Sequence, residues 1–204
     1  MKANNVTFRD VYHKICFISA TKEYQKVMQQ LPGYEKGNGV LVYGYVDHQA
    51  GLTYEILACA KLTDEGIISY NGDSTISIKY RSDSVKDCDL FIIKGCEELE
   101  FRYIDKIAAI NSSYKYSDGV ETTRRLSILD DCRNREFPDD VLVVLFHGDN
   151  RPEGCWIRCE GIENNQIKGL LLNEPDADFG VHAGNKILFD VIEHDNKYMC
   201  IAKV

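Results

Sequence analysis

The chain has 204 residues, 44% of them hydrophobic and 27% charged, with a formal net charge of −8. That length holds one large domain or two small ones, and the composition is that of a packed chain rather than a disordered tail. The acidity argues against nucleic acid and anionic membrane as partners, since phosphate binding rests on Lys and Arg, and the densest basic run here is Arg124-Arg125, set among acids.

The eight cysteines stand at 16, 59, 88, 96, 132, 155, 159 and 200. An even count is compatible with a disulfide framework, but the first residues, MKANNVTFRD, contain no apolar signal core. No run approaches the roughly 18 apolar residues of a membrane-spanning helix. Most cysteines sit in apolar, strand-like runs such as 14–18 (KICFI) and 56–60 (ILACA). They are expected to be reduced, buried thiols of a cytoplasmic protein.

In chain order, residues 12–19 read as a strand. Thr21 then looks like an N-cap, and Tyr24, Val27, Met28 and Leu31 follow at helical spacing until Pro32-Gly33. After the turn at 37–39, segments 40–46 and 53–60 read as a β-hairpin. Residues 66–70 and 75–80 read as two further strands joined by the hairpin dipeptide Asn71-Gly72, and 89–94 as another. Segment 98–110 is ambiguous: Phe101 and Tyr103 alternate as in a strand, while Ile104, Ile107 and Ala108 suit a helix. The polar stretch 111–119 marks a boundary between a strand-rich α+β region, 1–116, and a second region, 117–204.

The second region opens with Asp118 and Glu121 in capping-box spacing, which predicts a helix over 119–134. Pro138 ends that pattern, because the residue before proline is pushed from helical geometry. Short strands follow at 141–147, 155–161, 166–172, 186–192 and 197–204, separated by Gly-, Asn- and Asp-rich turns. The fold class expected is α+β, mostly antiparallel β: an N-terminal sheet with a helix, a linking helix, and a small five-stranded curled sheet or barrel of SH3-like or OB-like size.

The chemistry is sparse. Cys155 and Cys159 lie on one face of a strand, about 13 Å apart, too far to hold one ion together. The acids Glu174, Asp176 and Asp178 do not fill the twelve-residue frame of a calcium loop. No phosphate-binding glycine loop or nucleophile elbow is present. No metal and no cofactor is therefore expected. Cys155, following Gly154 at a loop edge, is the most plausible nucleophile, with His147 or His182 as base. Trp156 and Arg158 share one strand face. Either Trp156 caps the barrel core while Arg158 pairs with an acid such as Glu174, or the two form a contact patch.

Residues 137–141 (FPDDV), 152–158 (PEGCWIR), 169–175 (GLLLNEP) and 178–187 (DFGVHAGNKI) resemble a small bacterial domain family of unknown function. Its pattern is W-V-x-V, then G-x-L-x-N-x-P, then a loop ending G-D-x-[IV]-x-F. Asn185 stands where that pattern has Asp, and Asn serves equally in a turn. The resemblance implies a small β-rich domain and carries no catalytic residue. Three functional readings follow. The first is a non-catalytic protein-binding module, of toxin-immunity type, for a basic protein partner, using Trp156, Arg158, Glu174, Asp176, Asp178 and His182. The second is a small-substrate enzyme using Cys155 or His182. The third is a ligand or peptide module at the barrel mouth.

Overall fold

The strand Gly39–Asp47 has no polar face: every residue but the last is buried. A strand buried on both sides needs cover on both sides of its sheet, and the chain supplies it. The computed structural model describes residues 1–47, 49–70 and 77–204, which divide into two compact units, Met1–Lys115 and Tyr116–Val204. The first unit is a six-stranded sheet of β1 (Ile15–Ser19), β2 (Gly39–Asp47), β3 (Gly51–Thr63), β4 (Gly66–Ser69), β5 (Lys79–Arg81) and β6 (Leu90–Ile92). The order is β4-β3-β2-β1-β6, with β5 also on β3, and every pairing is antiparallel.

Alternation along β1 and β2 sorts the core into two layers. Cys16, Ile18, Val40 and Val42 face Phe8 and Val11 of α1 (Phe8–Val11), together with Met28 of α2 (Gln25–Met28). Ile15, Phe17, Leu41 and Tyr43 face Leu99 of α3 (Glu97–Arg102), Ile110 of α4 (Ile104–Ser113) and Tyr103 between the two helices.

Two expectations for this unit change. The helix read over Tyr24–Leu31 shrinks to the four residues of α2, flanked by turns. Thr21 does not cap it, because its hydroxyl makes no hydrogen bond; only its carbonyl accepts from Tyr24 and Gln25. The ambiguous segment is helical, broken at Tyr103, whose φ of −109° and ψ of 18° turn the chain between α3 and α4. Asn71-Gly72, and the first residues of the strand read at 75–80, lie outside the described residues. The parts that are described, β4 and β5, each pair with β3 at different places along it.

The second unit begins with α5 (Asp118–Arg125), and its cap differs from the expected one. Ser117 is the N-cap, its side chain accepting from the Val120 N–H, and Asp118 is already helical. The helix stops at Arg125 rather than near 134, and a 3-10 segment, Ser127–Cys132, follows. The backbone turns extended at Leu126 (φ −76°, ψ 101°), and the Thr123 carbonyl accepts the Leu126 N–H at 3.1 Å and the Arg133 guanidinium at 2.7 Å. Leu129 then drops into the barrel core with no exposure.

Five strands form a closed barrel in the order β10-β11-β7-β8-β9: β7 (Asp140–Phe146), β8 (Glu153–Glu163), β9 (Gln166–Leu171), β10 (Lys186–His194) and β11 (Lys197–Lys203). Neighbours in sequence pair antiparallel, and parallel pairing of β11 with β7 closes the ring. The hairpins β8–β9 and β10–β11 turn through Asn164-Asn165 and Asp195-Asn196, all four at positive φ, as two-residue primed turns require. A bulge between Cys159 and Gly161 curls β8. There α5 lies against the strand: a Cβ on Gly119 would sit 2.5 Å from the Glu160 carbonyl oxygen. The fold is thus α+β and mainly antiparallel, with a five-stranded barrel at its C-terminal end. No helix among the described residues is long and apolar enough to cross a membrane.

Candidate functional site

Period-two alternation turns Cys155, Ile157 and Cys159 of β8 into the barrel and Trp156 and Arg158 outward. The inward set is fully packed with Leu145, Phe179 and Phe189. Cys155 is therefore a core residue, not the loop-edge thiol expected from Gly154-Cys155. It is 0% exposed, and burial raises its pKa, the opposite of what a nucleophile needs. Burial likewise pushes Cys159 up to about 12. The barrel interior is filled by these side chains and its ring is closed, so the mouth offers no open strand edge among the described residues.

Outside, Trp156 lies directly opposite Leu142 of β7, which is 42% exposed. Trp156 is half-buried on the barrel wall and does not cap the core. Its backbone carbonyl accepts from the Leu172 N–H at 2.9 Å. Arg158 does not pair with Glu174. It stands opposite Asp140 in register and grips that carboxylate with two bonds, of 2.7 and 2.9 Å. Sequence gave two adjacent acids at 139 and 140 but not the register that selects between them and Glu174.

Residues 173–185 form the loop that borders this wall. Asn173 breaks the strand: its side-chain carbonyl accepts the Trp156 N–H at 2.8 Å. Glu153, not anticipated as a site residue, accepts the Asp176 N–H at 2.9 Å and so clamps the acidic stretch to β8. The Asp178 carboxylate accepts the Gly180 N–H, and its backbone carbonyl accepts from the Asn150 amide. Phe179, 1% exposed, anchors the loop in the core. The His182–Asn185 turn is closed by the Asn185 side chain, which accepts the His182 N–H at 3.0 Å.

The carboxylates of Asp176 and Asp178 are exposed on this pinned loop. Glu174 and His182 instead hold each other: Nδ1 and Oε1 are 2.6 Å apart, and the second carboxylate oxygen accepts the Ala183 N–H. The hydrogen bond to Glu174 raises the His182 pKa above its ordinary value, and the same bond, aided by Ala183, lowers that of Glu174. All six expected site residues thus lie on one wall and its border loop, Trp156 and Arg158 on the wall and the other four on the loop, with Asn173 and Glu153 joining the two. Within the loop, His182 is tied to Glu174. Among the described residues no cluster of His, Cys, Asp or Glu is placed to hold a metal ion.

A second feature lies in the first unit and was not legible beforehand. A cavity of about 470 Å³ is lined by His13, Tyr43, Glu97, Glu100, Phe101, Ile104 and Ile107. His13 reaches it from a left-handed turn, φ 54°, held by its N–H to the Gly44 carbonyl. The turn sits so close that a Cβ on Gly44 would meet the Val11 carbonyl oxygen at 2.3 Å.

No protein-family model matches the chain, and no curated protein or solved structure matches it.

Proposed function

We propose that this chain is a non-catalytic, cytoplasmic binding module for a basic protein, with the outer wall of β7, β8 and β9 as its contact surface. The observation that carries the reading is the juxtaposition of Leu142 and Trp156, side by side on the wall, with a clamped acidic loop along their border. An aromatic anchor ringed by polar groups is the usual anatomy of a contact that binds tightly. Charge distribution supports the sign of the partner: residues 116–204 hold 17 acidic and 10 basic side chains, a net of −7 out of −8 for the whole chain. An immunity-type protein that masks a basic toxin or nuclease would use this chemistry. Complementary charge of this kind speeds encounter more than it strengthens the final complex.

The test is recovery of a protein partner from the source cell by the tagged full chain at low salt. The intact chain should retain a stoichiometric basic protein. Trp156→Ala should lose it, because truncating a central aromatic anchor costs roughly 2 kcal/mol or more of binding. Asp176→Lys with Asp178→Lys should slow association and flatten its salt dependence. Equal recovery and equal rates for all three proteins would refute the reading. The enzyme reading loses its Cys155 thiol, which is sealed in the barrel, and would rest on His182 beside Glu174.

A further inference from the structure

The cavity beneath α3 and α4 belongs to a different unit from the barrel wall and combines three kinds of lining. The first is aromatic: the His13 ring stacks on Tyr12 with centroids 4.0 Å apart and lies nearly parallel to Tyr43, 6.0 Å away. The Tyr43 hydroxyl donates to the Asn111 side chain at 3.1 Å, so Tyr43 offers the cavity its ring rather than its hydroxyl. The second is apolar. Phe101 and Ile104 are 78% and 55% exposed, a large apolar area to leave in water, and Ile107 continues it inward. The third is anionic: Glu97 and Glu100 stand three apart on α3 and therefore on one side of it. Glu100 accepts the Cys96 thiol at 3.2 Å. None of the seven lining residues is Lys or Arg.

We propose that this cavity is a binding site for a small organic cation: a protonated primary amine carried on an aryl or alkyl body. The volume falls within the range of about 300–1,000 Å³ usual for small-ligand pockets. An anion is repelled by two carboxylates. A neutral apolar molecule fills the hydrophobic part but strips water from Glu97 and Glu100 without replacing it. A cation with an apolar body satisfies all three linings at once, with its ammonium between the carboxylates and its body against the rings, where cation–π attraction adds to burial. The left-handed His13 fits the same picture. A non-glycine residue is held there only when its surroundings fix it, and here they aim an aromatic ring at the cavity.

The ammonium has two sources, a free amine or a lysine side chain of another protein, and calorimetry on the full chain separates them. The probes are 2-phenylethylammonium, its neutral counterpart 2-phenylethanol, and N-acetyl-lysine amide. The expected result is saturable binding of an ammonium probe, one per chain and at least ten-fold tighter than the alcohol. Preference for the arylalkyl probe assigns the site to a free amine; preference for the lysine amide assigns it to a protein side chain. Glu97→Gln with Glu100→Gln should reduce the ammonium to the affinity of the alcohol, with an unchanged circular dichroism spectrum and melting temperature. His13→Ala should weaken the aryl probe more than a plain alkylammonium of equal length. Equal affinity for amine and alcohol, no saturable binding of either ammonium, or full binding by the double glutamine variant would each overturn the proposal.

Discussion

The foot of the barrel and its border loop carry similar charges and use them in opposite ways. At the foot, Arg124 is 2% exposed and Asp139 5%, yet they are joined by two bonds of 2.8 and 2.7 Å. Glu121 takes a third guanidinium bond at 2.7 Å, and the Tyr116 ring lies 4.0 Å from the guanidinium carbon. On the loop, Glu174 and His182 also form a close pair, but their side chains are 58% and 72% exposed. A charge withdrawn from water must be fully partnered or the fold loses it; a charge left in water is free to meet something else. The first arrangement fastens α5 to the residue before β7. The second leaves its acidic neighbours, Asp176 and Asp178, in water.

The largest way to break this contrast is at the foot. Arg124→Ala should destabilise the chain by about 3–5 kcal/mol, because Asp139 is left buried and unpaired. Urea unfolding at unchanged slope measures it. Replacing both partners, Arg124→Met with Asp139→Leu, should restore most of that loss, since the buried carboxylate goes with its partner and only the more exposed Glu121 loses a bond. A double variant as unstable as the single one would mean that the pair itself, rather than the orphaned charge, carries the stability. Next in size is Phe179→Ala, at about 3 kcal/mol for an aromatic ring removed from the core. It should also sharpen the contrast in a way the foot variant does not. Amide exchange should quicken through residues 176–183 while β7 and β8 keep their protection.

Why one of these regions was legible and the other was not comes down to period and register. The strands of the barrel follow from alternation, and their turns from Asn and Asp at positive φ; β8 to β11 fall close to where the pattern puts them. The loop falls between the strands read at 166–172 and 186–192, and its Phe179 is buried in the barrel core. The foot was not legible, and neither was the pairing on the wall. Whether Arg158 meets Asp140 or Glu174 depends on a strand register that no local pattern encodes. The end of α5 is met by Arg133, a residue eight positions beyond it that donates to the Thr123 carbonyl. The cavity was hidden for the same reason. Its His13 and Glu97 are far apart in sequence and are brought near by the pairing of β1 with β6. In α3 and α4, Phe101 and Tyr103 imitate a strand because the helix breaks between an outward ring, 78% exposed, and an inward one, 8% exposed.

The smallest effect expected tests the loop side of the contrast alone. His182 has its pKa raised by Glu174, so what it contributes to folding is complete below its unfolded pKa and fades as pH rises through the folded one. Glu174 has its pKa lowered, so its contribution is present above its unfolded pKa and fades as pH falls through the folded one. The pair therefore acts only in the window between the carboxylate and imidazole titrations. Because both side chains are mostly exposed, overall stability should barely move across that window. The titration itself should be visible. The His182 ring-proton resonance should turn over above the ordinary imidazole value of 6.5, and Glu174→Gln should return it there. Loss of the carboxylate should also release the Ala183 N–H, which donates to Glu174 at 2.9 Å, and so speed its exchange. An unshifted His182 in the intact chain would mean that the two side chains sample water separately, and the loop would then present Glu174 as a third exposed carboxylate beside Asp176 and Asp178.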